Sequence, residues 1–284
     1  MTLADGDVWF ITGCSSGLGR ELTEAVLRAG DRCAATSRNA SALSDLVERY
    51  PGRLLALALD VGDPAQREQA VAAAEAAFGR IDVLVNNAGF GYLAAVEEGV
   101  EGDVRALFEV NVFAPMALIR RVLPGLRAQG RGTIVNISSV AGVVANAGSG
   151  YYASSKFALE GISEALAKEV GPLGIRVVIV EPGPFRTDFY GGYLRAAARP
   201  IEAYAVTSGI RRSKLEASHG RQPGDPRRAA EAIVRIAKSP NPPLRLPLGR
   251  GSVGWLATKY RDALDALEAW KDEAEAVDYP RGSQ

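Results

Sequence analysis

Thr12-Gly13-Cys14-Ser15-Ser16-Gly17-Leu18-Gly19 is the stretch on which the fold turns. It grows out of a short apolar run at 8–12 and opens a segment of helical periodicity at 19–29. Glycines permit a tight turn and close backbone approach, and a helix N-terminus attracts phosphate. A glycine-rich turn alone is weak. Between a strand and a helix it predicts a nucleotide site formed by Gly13, Ser15, Ser16, Gly17, Leu18 and Gly19.

The same alternation continues outward from the loop. Further apolar runs rich in Val, Ile and Leu lie at 33–37, 54–60, 83–87, 133–138, 176–181 and 244–248. Continuous runs of this kind read as strands buried on both faces. Helical periodicity fills 64–78, 104–127 and 152–170, and Asp63-Pro64 and Asp225-Pro226 each predict an N-cap followed by proline in the first turn. The predicted fold is α/β: a doubly wound, Rossmann-like, parallel seven-stranded sheet flanked by helices. We expect a single dinucleotide-binding and catalytic domain over residues 1–284.

Two segments break the rhythm. Residues 188–224 follow a strand end and carry glycines and arginines, which predicts a substrate lid or else a plain surface insertion. Within it Arg211, Arg212 and Lys214 read as a solvated charge run, the other reading being contact with an anionic substrate group. Residues 252–284 predict a C-terminal helical extension. Leu256, Tyr260, Leu264, Leu267 and Trp270 repeat at helical spacing, as expected of a helix covering the sheet edge.

Bulk properties narrow the function. The 284 residues carry 33 basic and 33 acidic side chains, so charge gives no reason to expect a nucleic-acid or membrane partner. Met1 to Asp7 is polar and unlike a signal segment. Two cysteines outside any CxxC pair read as free buried thiols in a reducing cytoplasm. The single histidine argues against His-based triads and multi-histidine metal sites, and no metal is expected.

The second predicted strand ends at Ser37-Arg38. An acid here would bond a ribose 2′-hydroxyl, as in NAD binders, but none occurs before Asp45. Arg38 offers a planar fork to a 2′-phosphate, and Ser37 adds a hydroxyl without negative charge. NADP(H) is therefore expected over NAD(H).

Tyr152-Ala-Ser-Ser-Lys156 places a phenol four residues before an ammonium group, one turn apart on a helix face. A nearby cation favours the phenolate and lowers the tyrosine pKa, which makes the pair a candidate proton-transfer device. Tyr151 lacks this relation, since its fourth residue onward is Ser155.

With these residues in place, the chain resembles the short-chain dehydrogenases/reductases, in their single-domain branch. Thr12 to Gly19 matches TGxxxGxG, Asn86-Asn87-Ala88-Gly89 matches NNAG, and Tyr152 with Lys156 matches YxxxK. Pro182-Gly183 with Thr187 matches the motif after the sixth strand, and Asn111 and Ser139 stand where the family has its catalytic asparagine and serine. Ser139 is preferred to Ser138 because the family serine lies thirteen residues before its tyrosine; Ser138 reads as structural.

The resemblance implies a nicotinamide oxidoreductase. Tyr152 would be general acid or base, Lys156 would tune it and bond the nicotinamide ribose, Ser139 would hold the substrate oxygen, and Asn111 would position a water. Asp60 and Val61 would hold the adenine, Asn86, Ala88 and Gly89 would border the cofactor ribose, and Asn87 would tie strands together. Phe185 and Thr187 would meet the carboxamide. Hydride would leave the pro-S face. The pocket, around 140–147, Leu93 and 185–190, suits a bulky hydrophobic ketone or secondary alcohol. The family also implies a homo-oligomer, a dimer or tetramer, pairing through 104–127 and 152–170. A non-catalytic NADP-binding regulator on the same fold is the alternative; it would not need the Asn, Ser, Tyr and Lys set.

Overall fold

The computed structural model describes residues 6–279. Most of the polar start and the last residues of the predicted extension lie outside that range. The sheet holds β1 (Val8–Ile11), β2 (Arg32–Ser37), β3 (Leu54–Ala58), β4 (Val83–Asn86), β6 (Gly132–Ile137), β7 (Ile175–Pro182) and β9 (Arg245–Leu248). All seven pair in parallel, in the order β3-β2-β1-β4-β6-β7-β9. The direction of strand addition reverses between β1 and β4. This switch point is where doubly wound sheets open a crevice for ligands.

Alternation within the strands divides the core. Trp9 and Ile11 face a layer with Leu22 and Val26 of α1 (Gly17–Arg28) and Ile233 and Val234 of α9 (Pro226–Ala237). Phe10 faces the other layer, with Val71 of α3 (Pro64–Phe78), Leu118 of α5 (Ala114–Gln129) and Leu166 of α6 (Gly150–Val170). The two Asp-Pro starts behave as predicted. Asp63 accepts from the Ala65 and Gln66 amides and Asp225 from those of Arg227 and Arg228.

The predicted helix at 104–127 is interrupted. α4 (Glu101–Phe108) and α5 are separated by a π-helical turn, Glu109–Phe113, with Asn111 at its centre. Such turns displace the backbone ladder and often mark functional sites.

Residues 188–224 are more ordered than their weak periodicity suggests. They form α7 (Phe189–Gly192), β8 (Leu194–Ala196) and α8 (Ile210–Ala217). β8 pairs in parallel with β5 (Gly91–Leu93), a short strand just after the NNAG segment. The remaining helices are α2 (Ser44–Arg49), α10 (Arg250–Ala269) and α11 (Lys271–Glu275).

The tail departs from expectation. α10 is docked only at its start, where Leu256 is buried and Ser252 Oγ donates to the Glu181 carbonyl at 2.8 Å. Tyr260, Leu264, Leu267 and Trp270 are 47%, 65%, 69% and 67% exposed, so the helix does not cover the sheet edge. The lengths explain why. Twenty helical residues extend about 30 Å, whereas the four-residue edge strand β9 spans roughly 13 Å.

Candidate active site

The strand ends around the switch point open into a cavity of about 1150 Å³. Its floor is the glycine loop. Gly13 and Gly17 have φ of +71° and +56°, a region costly for other residues. A Cβ on Gly19 would lie 2.2 Å from the Gly13 carbonyl oxygen, and one on Gly13 would lie 2.9 Å from Ala88 Cα. Backbone thus approaches backbone with no room for side chains, and the start of α1 is presented bare to the cavity. This cradle fits a pyrophosphate.

Asn87 holds the cradle. Its Nδ2 donates to the carbonyls of Thr12 and Gly13 at 2.8 and 3.0 Å. Thr12 Oγ1 accepts from the Asn87 and Ala88 amides, both at 3.0 Å. Asn87 lines the cavity and Asn86 does not. Asn86 is buried and donates to Asn136 Oδ1 at 2.8 Å, tying β4 to β6. Asn87 therefore ties the end of β1 to that of β4, as expected, and also lines the cavity, whereas Asn86 lies behind the wall it was expected to form, because successive strand residues point to opposite faces.

The other residues predicted to hold cofactor line this one cavity: Gly13, Ser15, Ser16, Gly17, Leu18, Gly19, Ser37, Arg38, Asp60, Val61, Ala88, Gly89, Lys156, Pro182, Gly183, Phe185 and Thr187. Ser37 Oγ donates to the Asn39 carbonyl at 2.6 Å, so its hydrogen is already committed. Arg38 is exposed and has no ion pair among the described residues.

α6 carries Tyr152 and Lys156 to the wall opposite. Tyr152 and Ser139 line the cavity together, and Ser139 Oγ accepts from the Ala141 amide at 3.1 Å. Tyr151 turns away and donates to the Val96 carbonyl at 2.6 Å. Burial raises the Tyr152 pKa above the ordinary phenol value, and the Ser139 hydroxyl opposes this. Burial also pushes Lys156 down to about 8. The expected lowering of Tyr152 by Lys156 is not seen. Lys156 Nζ donates to the Ile137 carbonyl at 2.9 Å and lies 5.9 Å from the phenol ring centroid, and burial sets the direction for Tyr152.

Asn111 sits beside this pair without lining the cavity. Its Oδ1 accepts from the Phe90 amide at 3.1 Å, and its Nδ2 donates to the Phe90 carbonyl at 2.9 Å and to Ser155 Oγ at 3.1 Å. A Cβ on Gly89 would lie 3.0 Å from Asn111 Oδ1 and 3.6 Å from Lys156 Nζ. The asparagine side chain is thus spent on fixing the π turn against the wall behind Lys156.

The lid closes the remaining side. Thr187, just before it, reaches Gly17, and the Tyr193 hydroxyl lies 3.4 Å from Ser16 Oγ. The Phe189 ring is 5.9 Å from that of Tyr152. In the supposed charge run Lys214 is exposed, but the two arginines are not solvated. Arg212 pairs with the buried Glu98 at 3.0 Å, and Arg211 is half-buried, lines the cavity and donates from Nε to Ser149 Oγ at 2.9 Å.

Sequence reasoning missed three features. Gln222 is buried in the lid and lines the cavity. Ser149 anchors Arg211. Glu160, one further turn along the face of Tyr152 and Lys156, lies behind the lysine with Glu181 and Arg245. Arg245 Nε is 3.3 Å from both carboxylates, and burial followed by the charge of Glu160 pushes Glu181 up to about 7. Extending the four-residue spacing from Tyr152 would have found Glu160; nothing local signals the other two. Among the described residues no His, Cys, Asp or Glu cluster is arranged for a metal ion, and no helix is long and apolar enough to cross a membrane. Cys14 and Cys33 are free and buried.

Comparison with known proteins places this site in context. The short chain dehydrogenase family profile matches residues 7–196. The chain is 38% identical to "Oxidoreductase BOA17" of Botryotinia fuckeliana, over 93% of this chain and 97% of that protein. It is 37% identical to the 3-ketodihydrosphingosine reductase of Bacteroides thetaiotaomicron, over 84% of this chain and 86% of the relative. A crystal structure of a short-chain dehydrogenase from Streptomyces avermitilis superposes with a TM-score of 0.90 at 42% identity, covering 97% of this chain and all of that one.

Proposed function

The chain belongs to the short-chain dehydrogenase family and is an oxidoreductase of that family, whose members bind a nicotinamide cofactor, and on that premise we propose that it is an NADP(H)-dependent ketoreductase acting on a bulky hydrophobic ketone or secondary alcohol. The observation that carries the reading is that Tyr152, Ser139 and Lys156 line the same cavity as the glycine cradle. A bound nicotinamide ring supplies or accepts the hydride. Tyr152 gives a proton to the carbonyl oxygen in reduction and removes one from the alcohol in oxidation. Ser139 donates a hydrogen bond to the same oxygen and stabilises charge that develops there. Lys156 bonds the ribose hydroxyls, and Asn111 positions it through the π turn.

Leu93, Val144, Phe189, Ile210, Leu215 and Trp255 support a hydrophobic substrate, since all line the cavity away from the glycine loop. The name of the Bacteroides relative, a 3-keto reductase, supports the ketone class. Arg38, facing the cavity without an acid, supports NADP(H). Exposed Phe157 and Ile162 on α6 support a homo-oligomer.

The test mixes the protein with NADPH and a panel of ketones and follows loss of reduced-cofactor absorbance. Tyr152→Phe is expected to lower turnover by ~10²–10⁴-fold while NADPH still binds. Near-full turnover by this variant on every accepted ketone would remove the tyrosine from the mechanism.

A further inference from the structure

The lid presents the cavity with a positive wall that this chain leaves uncompensated. Arg211 is half-buried, and among the described residues its guanidinium has Ser149 as hydrogen-bond partner and no carboxylate. Its neighbour Arg212 shows the ordinary arrangement, a pair with buried Glu98. Lys214 and Arg221 line the same cavity, also without an ion pair among the described residues. The acids lining it are Asp60, at the strand end predicted to hold adenine, and the exposed Asp188. Gln222 is 2% exposed, and neither of its carboxamide atoms has a partner. A desolvated cation without a counter-charge and a buried amide without partners are both costly. An anion entering from the cavity relieves the first, and Gln222 offers a free amide to a ligand in the same cavity.

We propose that the substrate carries a carboxylate bound by Arg211, with Lys214 and Arg221 at the rim, and that Arg211 selects keto acids over neutral ketones. This rests on the ketoreductase reading and supplies the head group that reading lacks. With Nε engaged by Ser149, the two terminal amino groups of Arg211 remain to meet the carboxylate. Ser149 fixes their place relative to the chemistry. It makes no cap bond to α6 and stands three residues before Tyr152, about 4.5 Å along the helix axis. The carboxylate and the reacting carbonyl are therefore joined by a short run of bonds, with the apolar body against Val144, Ile210 and Leu215.

Decanoate and methyl decanoate are the probes, titrated calorimetrically against the full chain with and without NADPH. We expect the acid to bind at least about tenfold more tightly than the ester, and Arg211→Met to reduce that preference to about twofold or less. Equal affinities, no saturable binding of decanoate, or a preference that survives in Arg211→Met overturns the proposal. Should Arg211→Met not fold, Arg211→Lys and the exposed Lys214→Met carry the test. Each is expected to lower the preference by at least about twofold, and an unmoved ratio in both overturns it. Turnover separates the two readings. Selective decanoate binding with no NADPH oxidation on any ketone breaks the ketoreductase reading alone. Faster reduction of methyl 3-oxodecanoate than of 3-oxodecanoate breaks the carboxylate proposal alone.

Discussion

The glycine loop and the lid meet over one cavity, yet they are held by different means. The loop is backbone against backbone: Gly13, Gly19 and Ala88 approach so closely that a single methyl group does not fit. The lid joins the body through one short strand pair, β8 with β5, and otherwise through side chains from far along the chain. Glu98 accepts from the Ile201 amide at 2.9 Å and pairs with Arg212 at 3.0 Å, and the Tyr204 hydroxyl donates to Glu97 at 2.6 Å. A backbone-built region is intolerant at many positions. A region pinned by a few long-range polar contacts tolerates most changes and depends on one or two. Rigid floor and detachable cover suit a site that keeps a cofactor and exchanges substrates.

Glu98→Ala is the largest expected effect. It removes a buried carboxylate and leaves Arg212 and the amides of Ala95 and Ile201 without their acceptor. Breaking such a pair costs on the order of 3–5 kcal/mol. If the comparison is right, the lid alone absorbs this. Trypsin then cuts within 199–221 far faster, while the thermal midpoint of the sheet moves little. A large fall in midpoint with no selective cleavage would show that the lid is part of the same cooperative unit as the floor.

Glycine-to-alanine substitutions sharpen the contrast from the other side. Gly19→Ala sets a methyl 2.2 Å from the Gly13 carbonyl oxygen and 2.4 Å from Asn87 Nδ2, so the cradle must shift. Such overpacking costs roughly 1–3 kcal/mol, and we expect NADPH affinity to fall by about tenfold or more. Gly192 of the lid has nothing within 4 Å of a built Cβ, and Gly192→Ala should stay within about 0.5 kcal/mol in a denaturant titration. Similar losses for both would erase the distinction drawn between the regions.

The same distinction decides what was legible in the sequence. The seven strands and the glycine loop were, because continuous apolar runs and a glycine turn act locally through sterics. The π turn at Asn111 was not, since shifting the ladder by one residue barely alters helical periodicity. Asn86 and Asn87 are both adjacent to a strand end, and parity there depends on where the strand stops. Arg211 and Arg212 lie about 100° apart on α8, and only the docking of the lid decides which faces Glu98 and which faces the cavity. The stripe from Leu256 to Leu267 lies on one helix, α10, as its spacing predicts. Periodicity says which residues share a face, not whether anything in the chain covers it.

Arg38→Ala is expected to matter less than Glu98→Ala or Gly19→Ala, and it probes a floor residue that would meet the cofactor through its side chain. Arg38 stands just past β2, where its guanidinium is exposed and can reach a 2′-phosphate without leaving water. A charge-assisted bond in such a place is worth about 1.5 kcal/mol, so the NADPH:NADH ratio of kcat/KM should fall about tenfold, chiefly through KM for NADPH. Because Ser37 has already committed its hydrogen to Asn39, Ser37→Ala should move the ratio far less than Arg38→Ala. A wild-type enzyme that uses NADH as efficiently as NADPH would sink the assignment of Arg38. It would also leave the floor's hold on the cofactor to the bare backbone of the cradle, which is the comparison in its strictest form.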